Sequence, residues 1–280
     1  MVTIRNIFLL IIFSVLLTCC EITKTVEVDM PFEGSKIVVL GMVSESELHP
    51  IYLSKTTHPL STESDSLTGC DVSFFENDVL IGKLIKKSDY LYILEESAAF
   101  TPNTENSYSV KVKADGLDEA TSVPISFPKL VEIDSLQVSP IASDPLTLNL
   151  SVFFTDPIED NFYALGIERY VDGELADVFF DYEVFSPYST FDDNLFQGSS
   201  TNKMVKVNLE GDINHPKPID IKVTLFSIPK ETFDFYWSVR EQSATLRNFY
   251  MEPSYVNNTI NGGYGHFGAY RSSTKWINYP

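Results

Sequence analysis

Short runs of alternating apolar and polar residues fill the first half of the chain. The run Ile37-Val38-Val39-Leu40-Gly41-Met42-Val43 is rich in β-branched side chains, and Tyr108 to Lys113 alternates strictly. A period of two places successive side chains on opposite faces of a β-strand. Seven short segments of this kind, with turn residues between them, predict an immunoglobulin-like β-sandwich over residues 36–128.

The strand pattern continues after Pro128 and gives way to a longer period at only one place. Between residues 229 and 250, apolar side chains recur every three or four positions on a single stripe. This spacing predicts one α-helix that packs a single face against a sheet. We therefore predict a mainly β fold in which a second, β-rich domain covers residues 129–280, with the helix at 229–250 and a Gly- and aromatic-rich tail.

The first residues of the chain carry a third pattern. One charged residue, Arg5, precedes an apolar run that is shorter than the roughly 20 residues of a membrane-spanning helix. Small residues and a cysteine end the run, which is typical of a bacterial lipoprotein signal. We predict a signal peptide over residues 1–19, a diacylglycerol thioether on Cys20 with Cys19 as the alternative, and a polar tether over residues 20–35.

The composition is strongly acidic and poor in cysteine. The chain has 39 acidic and 20 basic residues, which gives a formal net charge of −19. Such a surface repels nucleic acid and anionic lipid head groups, so we expect no nucleic-acid partner and a body that stands clear of the membrane. After Cys19 and Cys20 only Cys70 remains, so no intrachain disulfide is expected once Cys20 is acylated.

One cluster of oxygen-bearing side chains follows the strand predicted at residues 146–155. Asp156, Glu159 and Asp160 precede Asn161, and carboxylate oxygens at this density are Ca²⁺ ligands. The alternate ligand spacing and the glycine of a calcium loop are missing, and an Asp-Pro pair after a strand commonly forms a turn. We therefore favour a turn with no cofactor, and keep Ca²⁺ binding by the three carboxylates as the weaker alternative.

Aromatic side chains crowd into two stretches that lack a regular period. The first lies at residues 179–196, and the second begins with the Gly-rich run at residues 262–268. Exposed aromatic side chains on loops are typical anchors for protein partners or for sugars, whereas buried ones belong to the core. The residues of the binding alternative are Tyr188, Phe191, Tyr264, His266, Phe267 and Tyr270.

Several segments, taken in order, resemble a known family. They are Lys36 to Val43, Tyr52-Leu53-Ser54, Phe154-Thr155-Asp156-Pro157, Asn161-Phe162-Tyr163, Glu252-Pro253 and Gly262 to Tyr270. Together they resemble the bacterial outer-membrane lipoproteins grouped as domain of unknown function 4249. Members of that family are typically encoded near TonB-dependent receptors, so the resemblance implies an accessory role in the outer membrane. It supplies no catalytic residues.

Three functional hypotheses follow from these features. The first is a non-enzymatic outer-membrane lipoprotein that binds a TonB-dependent receptor in nutrient capture or envelope assembly. The second is a self-standing surface module that binds a glycan or a peptide. The third is a hydrolase with a triad of distant residues, which we rank last because the sequence has no nucleophile elbow, zinc-ligand spacing or phosphate loop.

The lipidation site gives a direct test of the N-terminal interpretation. A Cys20→Ala variant should remain uncleaved and lose acyl labelling, because the thioether needs the thiol that the substitution removes. Metabolic labelling with a fatty acid, followed by mass spectrometry of the N-terminal peptide, measures both effects. The matched Cys19→Ala variant should keep the label, and the reverse result would place the lipid on Cys19.

Overall fold

The computed structural model describes residues 32–95, 100–178, 190–208, 218–246 and 254–279. The predicted signal peptide, Cys19, Cys20 and Tyr188 lie outside these ranges. The described residues form seventeen strands and one helix, so the fold is mainly β as predicted.

The strands of the first half follow the sequence pattern closely. They are β1 (Ile37–Ser44), β2 (Ile51–Lys55), β3 (Asp71–Glu76), β4 (Val79–Lys86), β5 (Leu91–Leu94), β6 (Ser107–Lys113), β7 (Ala120–Ser122) and β8 (Ile125–Ser126).

The second half adds nine strands and helix α1 (Lys230–Leu246). The strands are β9 (Ile133–Ile141), β10 (Asp144–Thr155), β11 (Phe162–Val171), β12 (Glu174–Val178), β13 (Thr190–Asp192), β14 (Ser200–Asn208), β15 (Ile219–Ile228), β16 (Ile260–Asn261) and β17 (Tyr264–Tyr279).

Two sheets contain all of these strands. The larger sheet has the order β12-β11-β15-β17-β1-β2-β5-β4-β3-β6-β7-β16, with β13 paired to β11 and β8 paired to β6. The smaller sheet has the order β14-β10-β9 and packs on the β11-β15-β17 part of the larger one, where the two sheets bury a shared apolar core. From Gly34 onward the chain is one compact unit.

Strand β17 belongs to both halves of the larger sheet. Its first part pairs in parallel with β1, from Val38 opposite Tyr264 to Ser44 opposite Tyr270. Its second part pairs antiparallel with β15, up to Arg271 opposite Ser227. The expectation of an irregular Gly-rich tail is therefore wrong, because this segment is the central strand that joins the two halves.

The glycines of β17 explain why its alternation is hard to detect in the sequence. A Cβ atom on Gly265 would lie 2.0 Å from the carbonyl oxygen of Val39, and its φ of +112° disfavours other residues. A Cβ atom on Gly268 would lie 2.5 Å from Nε2 of His266. Neighbouring atoms crowd both faces of this strand segment. Glycines therefore occupy positions where an ordinary strand would have polar side chains.

The predicted domain boundary at residue 128 does not separate the hydrophobic cores. The first core contains side chains of β1 to β8, but Ile260, Phe267 and Ala269 from the tail complete it. A chain that stops at residue 128 would lack these three side chains. Residues 36–128 therefore do not contain the whole of this core.

The helix starts within one residue of its predicted position. The backbone N–H of Phe233 donates to the carbonyl of Pro229, and Phe233, Phe235 and Tyr236 pack on Phe226 and other side chains of the large sheet. The packing of one aromatic stripe on a sheet is as predicted. Among the residues that the structure describes, none of the helices has the length and apolar character needed to cross a membrane.

The shared strand predicts unequal costs for two aromatic truncations on β17. Phe267→Ala should lower the free energy of unfolding by about 3–5 kcal/mol, because it empties a fully buried site. Trp276→Ala should cost less than about 1 kcal/mol, since that side chain is 56% exposed. Urea unfolding followed by circular dichroism measures both, and equal losses would contradict the assignment of β17 to the first core.

Candidate interaction site

Two loops at one end of the smaller sheet hold each other in place. We call residues 156–161 and 193–199 the acidic loop pair. The buried carboxylate of Asp156 accepts hydrogen bonds from the Tyr163 hydroxyl at 2.5 Å and from the Gly198 backbone N–H at 2.9 Å. The buried carboxylate of Asp193 accepts the backbone N–H of Asn161 at 2.8 Å.

The burial of these groups shifts their protonation equilibria. Loss of water around Asp156 raises the pKa of its carboxyl group, and the nearby charge of Asp193 adds a smaller increase. The hydrogen bonds from Tyr163 and Gly198 oppose the shift because they stabilise the ionised form. Burial also raises the pKa of the Tyr163 hydroxyl, which remains a neutral donor to the carboxylate.

The three candidate calcium ligands have separate structural partners. Asp156 bonds within the loop pair, Glu159 forms an ion pair with Lys129 at 2.5 Å, and Asp160 accepts from the Gln197 side chain at 2.9 Å. In the described ranges, no group of three or more His, Cys, Asp or Glu side chains is placed to hold a metal ion. Each of the three carboxylates therefore has its own protein partner in the described structure.

The acidic loop pair presents two large apolar side chains to solvent. Ile158 is 83% exposed and Leu195 is 96% exposed. Backbone hydrogen bonds between the loops, from Asp156 to Ser199 and from Gly198 to Pro157, fix the chain on which they stand. An apolar side chain on a fixed and exposed turn does not contribute to the core, but it is well suited to bury itself against a partner.

A cleft and a row of aromatic rings adjoin the loop pair. The cleft has a volume of about 240 Å³ and is lined by Lys129, Glu159, Phe162, Lys230 and their neighbours. Ring centres of Phe162 and Phe233 lie 4.9 Å apart, those of Phe233 and Trp237 lie 5.4 Å apart, and the Arg240 guanidinium stacks 3.5 Å from Trp237. Phe162 lines the cleft and begins the aromatic row, so it connects the surroundings of the loop pair to the helix.

The structure does not expose most of the aromatic residues predicted to bind a partner. Phe191, His266, Phe267 and Tyr270 are buried, so the structure favours the core alternative over the exposed binding face for these four residues. Phe191 packs on Tyr163 in the second core, because a short strand, β13, carries it inward. Among the predicted binding residues that the structure describes, Tyr264 is exposed, at 42%, with the Lys36 ammonium 5.2 Å from its ring centre.

His266 is a buried connection between β17 and the helix. Its Nε2 atom lies 3.0 Å from the Thr232 hydroxyl, its Nδ1 atom lies 3.0 Å from the Thr259 hydroxyl, and its ring stacks on Phe235. Loss of water lowers the pKa of His266 to about 3. A neutral ring needs one donor and one acceptor partner, and the two hydroxyl groups supply both.

Sequence reasoning did not identify Ile158 or Leu195 as candidate binding residues. Ile158 follows Pro157 and precedes three polar residues, and Leu195 lies between the polar run Asp192 to Asn194 and Phe196. An aliphatic residue at the edge of a short polar run was the available signal. A high density of aromatic residues mostly marks core positions instead, because aromatic residues also favour strands.

Comparison with known proteins identifies a family without assigning an activity. The family model described as domain of unknown function (DUF4249) matches residues 23–276. The match covers most of the chain, and the chain belongs to this family. No curated protein matches the sequence.

The buried histidine predicts a specific pH dependence of stability. Unfolding restores an ordinary histidine pKa near 6.5, so the unfolded chain binds a proton below that pH while folded His266 does not. The free energy of unfolding should therefore fall as the pH drops below about 6.5, with about 2 kcal/mol lost through this residue by pH 5.

A His266→Gln variant should lack this part of the pH dependence, because glutamine can bond to both threonines and does not titrate. Urea unfolding at pH 7 and pH 5 measures the difference between the two proteins. Equal losses in wild type and variant would show that His266 accepts a proton in the folded chain.

Proposed function

We propose that this member of the family is a non-enzymatic lipoprotein of the bacterial outer membrane, anchored through Cys20, that binds a TonB-dependent receptor. The acidic loop pair would make the contact. The complex would serve nutrient capture or the assembly of the receptor. The partner class follows from the resemblance to lipoproteins that are typically encoded near such receptors.

The observation that carries the proposal is the exposure of Ile158 and Leu195 on a fixed backbone. Protein interfaces concentrate their binding energy in a few large side chains that become buried in pockets of the partner. Binding costs less entropy when the anchor residues are already held in place. The buried carboxylates of Asp156 and Asp193 supply that fixation through hydrogen bonds to the opposite loop.

The neighbouring surface has the side chains that favour a protein partner. Trp237 is partly exposed and stacks with Arg240, and tryptophan and arginine are among the residue types enriched in binding hot spots. Lys230 lies near the ring of Phe162 and pairs with Asp234. An apolar centre with charged residues at its margin is the usual arrangement of a protein interface.

The predicted lipid anchor would strengthen a modest contact. Two proteins confined to one membrane meet at a higher effective concentration than two proteins free in solution, so a weak interface can be well populated. The net charge of −19 would keep the body away from anionic lipid. The loop pair would then remain available to a neighbouring membrane protein.

The proposal predicts that two charges on the loop pair abolish receptor binding. In an Ile158→Asp, Leu195→Asp double variant, each lost anchor should weaken the complex by roughly 30-fold. Stability should change little because both side chains are exposed. Co-purification of the neighbouring TonB-dependent receptor from detergent-solubilised membranes, together with a thermal unfolding curve, measures both effects.

A Leu60→Asp variant is the matched control, because Leu60 is 70% exposed on a different loop. It should keep receptor binding. Undiminished co-purification of the double variant would exclude the acidic loop pair as the contact. Failure of the wild-type chain to bind any neighbouring receptor would overturn the proposed function.

A further inference from the structure

The outward face of the smaller sheet carries mostly uncharged side chains around one aromatic ring, that of Phe153. On β10, side chains at even positions point into the second core, whereas Asn149, Ser151, Phe153 and Thr155 lie on the opposite face. Their cross-strand neighbours on β9 and β14 are uncharged except for Lys206, which lies opposite Asn149: Ser135, Gln137, Ser139, Ser200, Asn202, Met204 and Lys206. Phe153 is the one aromatic residue among these outward-facing positions.

A β-bulge interrupts this face beside Phe153. Phe153 pairs with Ser135 and Phe154 pairs with Ile133, so Asp134 between them has no partner in the ladder. Such a bulge redirects a side chain and is common next to binding sites. The Asp134 carboxylate accepts the Thr155 hydroxyl at 2.9 Å, and the Lys275 ammonium donates to the Asp134 carbonyl at 2.8 Å.

The bulge opens a cleft of about 530 Å³. It is lined by Asp134, Phe153, Phe154, Ser200, Thr201 and Asn202. This volume lies within the range of small-ligand sites. The direct cross-strand neighbours of Phe153 are Ser135 and Asn202, which are too small to cover its half-buried ring.

The charge of the cleft limits the class of ligand. The whole chain carries a net charge of −19, yet the cleft has one carboxylate, Asp134, and otherwise hydroxyl, amide and aromatic groups. A nucleic acid or an anionic polysaccharide would need several cations. Among the described residues, none of those that line the cleft is cationic, and the ammonium of Lys275 bonds to the Asp134 carbonyl. A protein partner would need a larger apolar area than one phenylalanine ring provides.

From this arrangement we propose that the cleft binds a neutral saccharide. A sugar has an apolar face of C–H groups, which packs on an aromatic ring, and a margin of hydroxyl groups, which bond to carboxylate and amide groups. Phe153 supplies the ring. Asp134 accepts hydrogen bonds from the sugar hydroxyls, and Asn202 and Ser200 both donate and accept. Ser200 follows the acidic loop pair directly in the chain, but none of the residues that line the cleft belongs to that pair.

Affinity electrophoresis of the full chain in detergent tests the proposal. Native gels contain a β-1,3-glucan, an α-1,4-glucan, a mannan, a xylan or the anionic polygalacturonate as probe. At least one neutral polysaccharide should slow the wild-type chain. Phe153→Ala should weaken that retention about tenfold, and Asn202→Ala should weaken it about fivefold.

Matched variants separate this site from the rest of the molecule. Met204→Ala should leave retention unchanged, because Met204 is exposed on the same face but does not line the cleft. The Ile158→Asp, Leu195→Asp variant should also keep retention, so failure of receptor binding and failure of saccharide binding are distinguishable. Asn202 is exposed, so its variant tests the site even where Phe153→Ala lowers stability.

Three results would overturn the proposal. The first is a wild-type chain that no neutral polysaccharide slows. The second is retention by polygalacturonate alone. The third is retention by a neutral polysaccharide that neither Phe153→Ala nor Asn202→Ala weakens.

Discussion

The pairing of β17 with β1 on one half and with β15 on the other holds the larger sheet together. The strand has sixteen residues, and those at positions 266–270 are all buried. Phe267 and Ala269 enter the first core, whereas His266 and Tyr270 face the helix. Since the last segment of the chain completes the first core, the N-terminal half reaches its native structure only after residues more than 200 positions away have joined it. Such non-local pairing makes folding slow relative to helical proteins of similar size.

Buried polar groups set the positions of the outer loops once the strands are in place. Asp156 and Asp193 lie at the ends of neighbouring elements, and each bonds across to the other loop. A buried carboxylate is costly without partners, so these hydrogen bonds select one arrangement of the two loops. His266 and its two threonines do the same for the helix. The candidate interaction site therefore depends on interior groups that no partner touches.

The sequence predicts some of these features and hides others for physical reasons. β6 has a regular period of two and β1 is rich in β-branched residues, so both strands can be recognised from the sequence alone. Strand β17 is not, because glycines occupy the positions where neighbouring atoms leave no room for a side chain. The pairing of Val38 with Tyr264 joins residues that lie far apart in the chain, so no local sequence pattern predicts it.

The same limit applies to the candidate sites. Phe191 and Phe267 lie in segments without a clear period, and only the tertiary structure shows that both are buried. Ile158 and Leu195 adjoin short polar runs, and their positions depend on hydrogen bonds between two loops that are distant in sequence. The cleft beside Phe153 depends on a bulge, which one extra residue in β9 creates. Composition alone does not distinguish such a bulge from regular pairing.

The register also places the candidate interaction site relative to the start of the folded chain. The predicted tether enters β1 at Ile37, opposite the beginning of β17, whereas Ser44 pairs with Tyr270 at the far end. The next residue of β17, Arg271, pairs with Ser227, and Ser227 pairs with Tyr163 beside the acidic loop pair. Ile37 and Ser44 are seven residues apart on β1, and a rise of about 3.3 Å per residue separates them by roughly 23 Å. A contact at the loop pair would therefore lie about a strand length away from the point where the tether enters the fold.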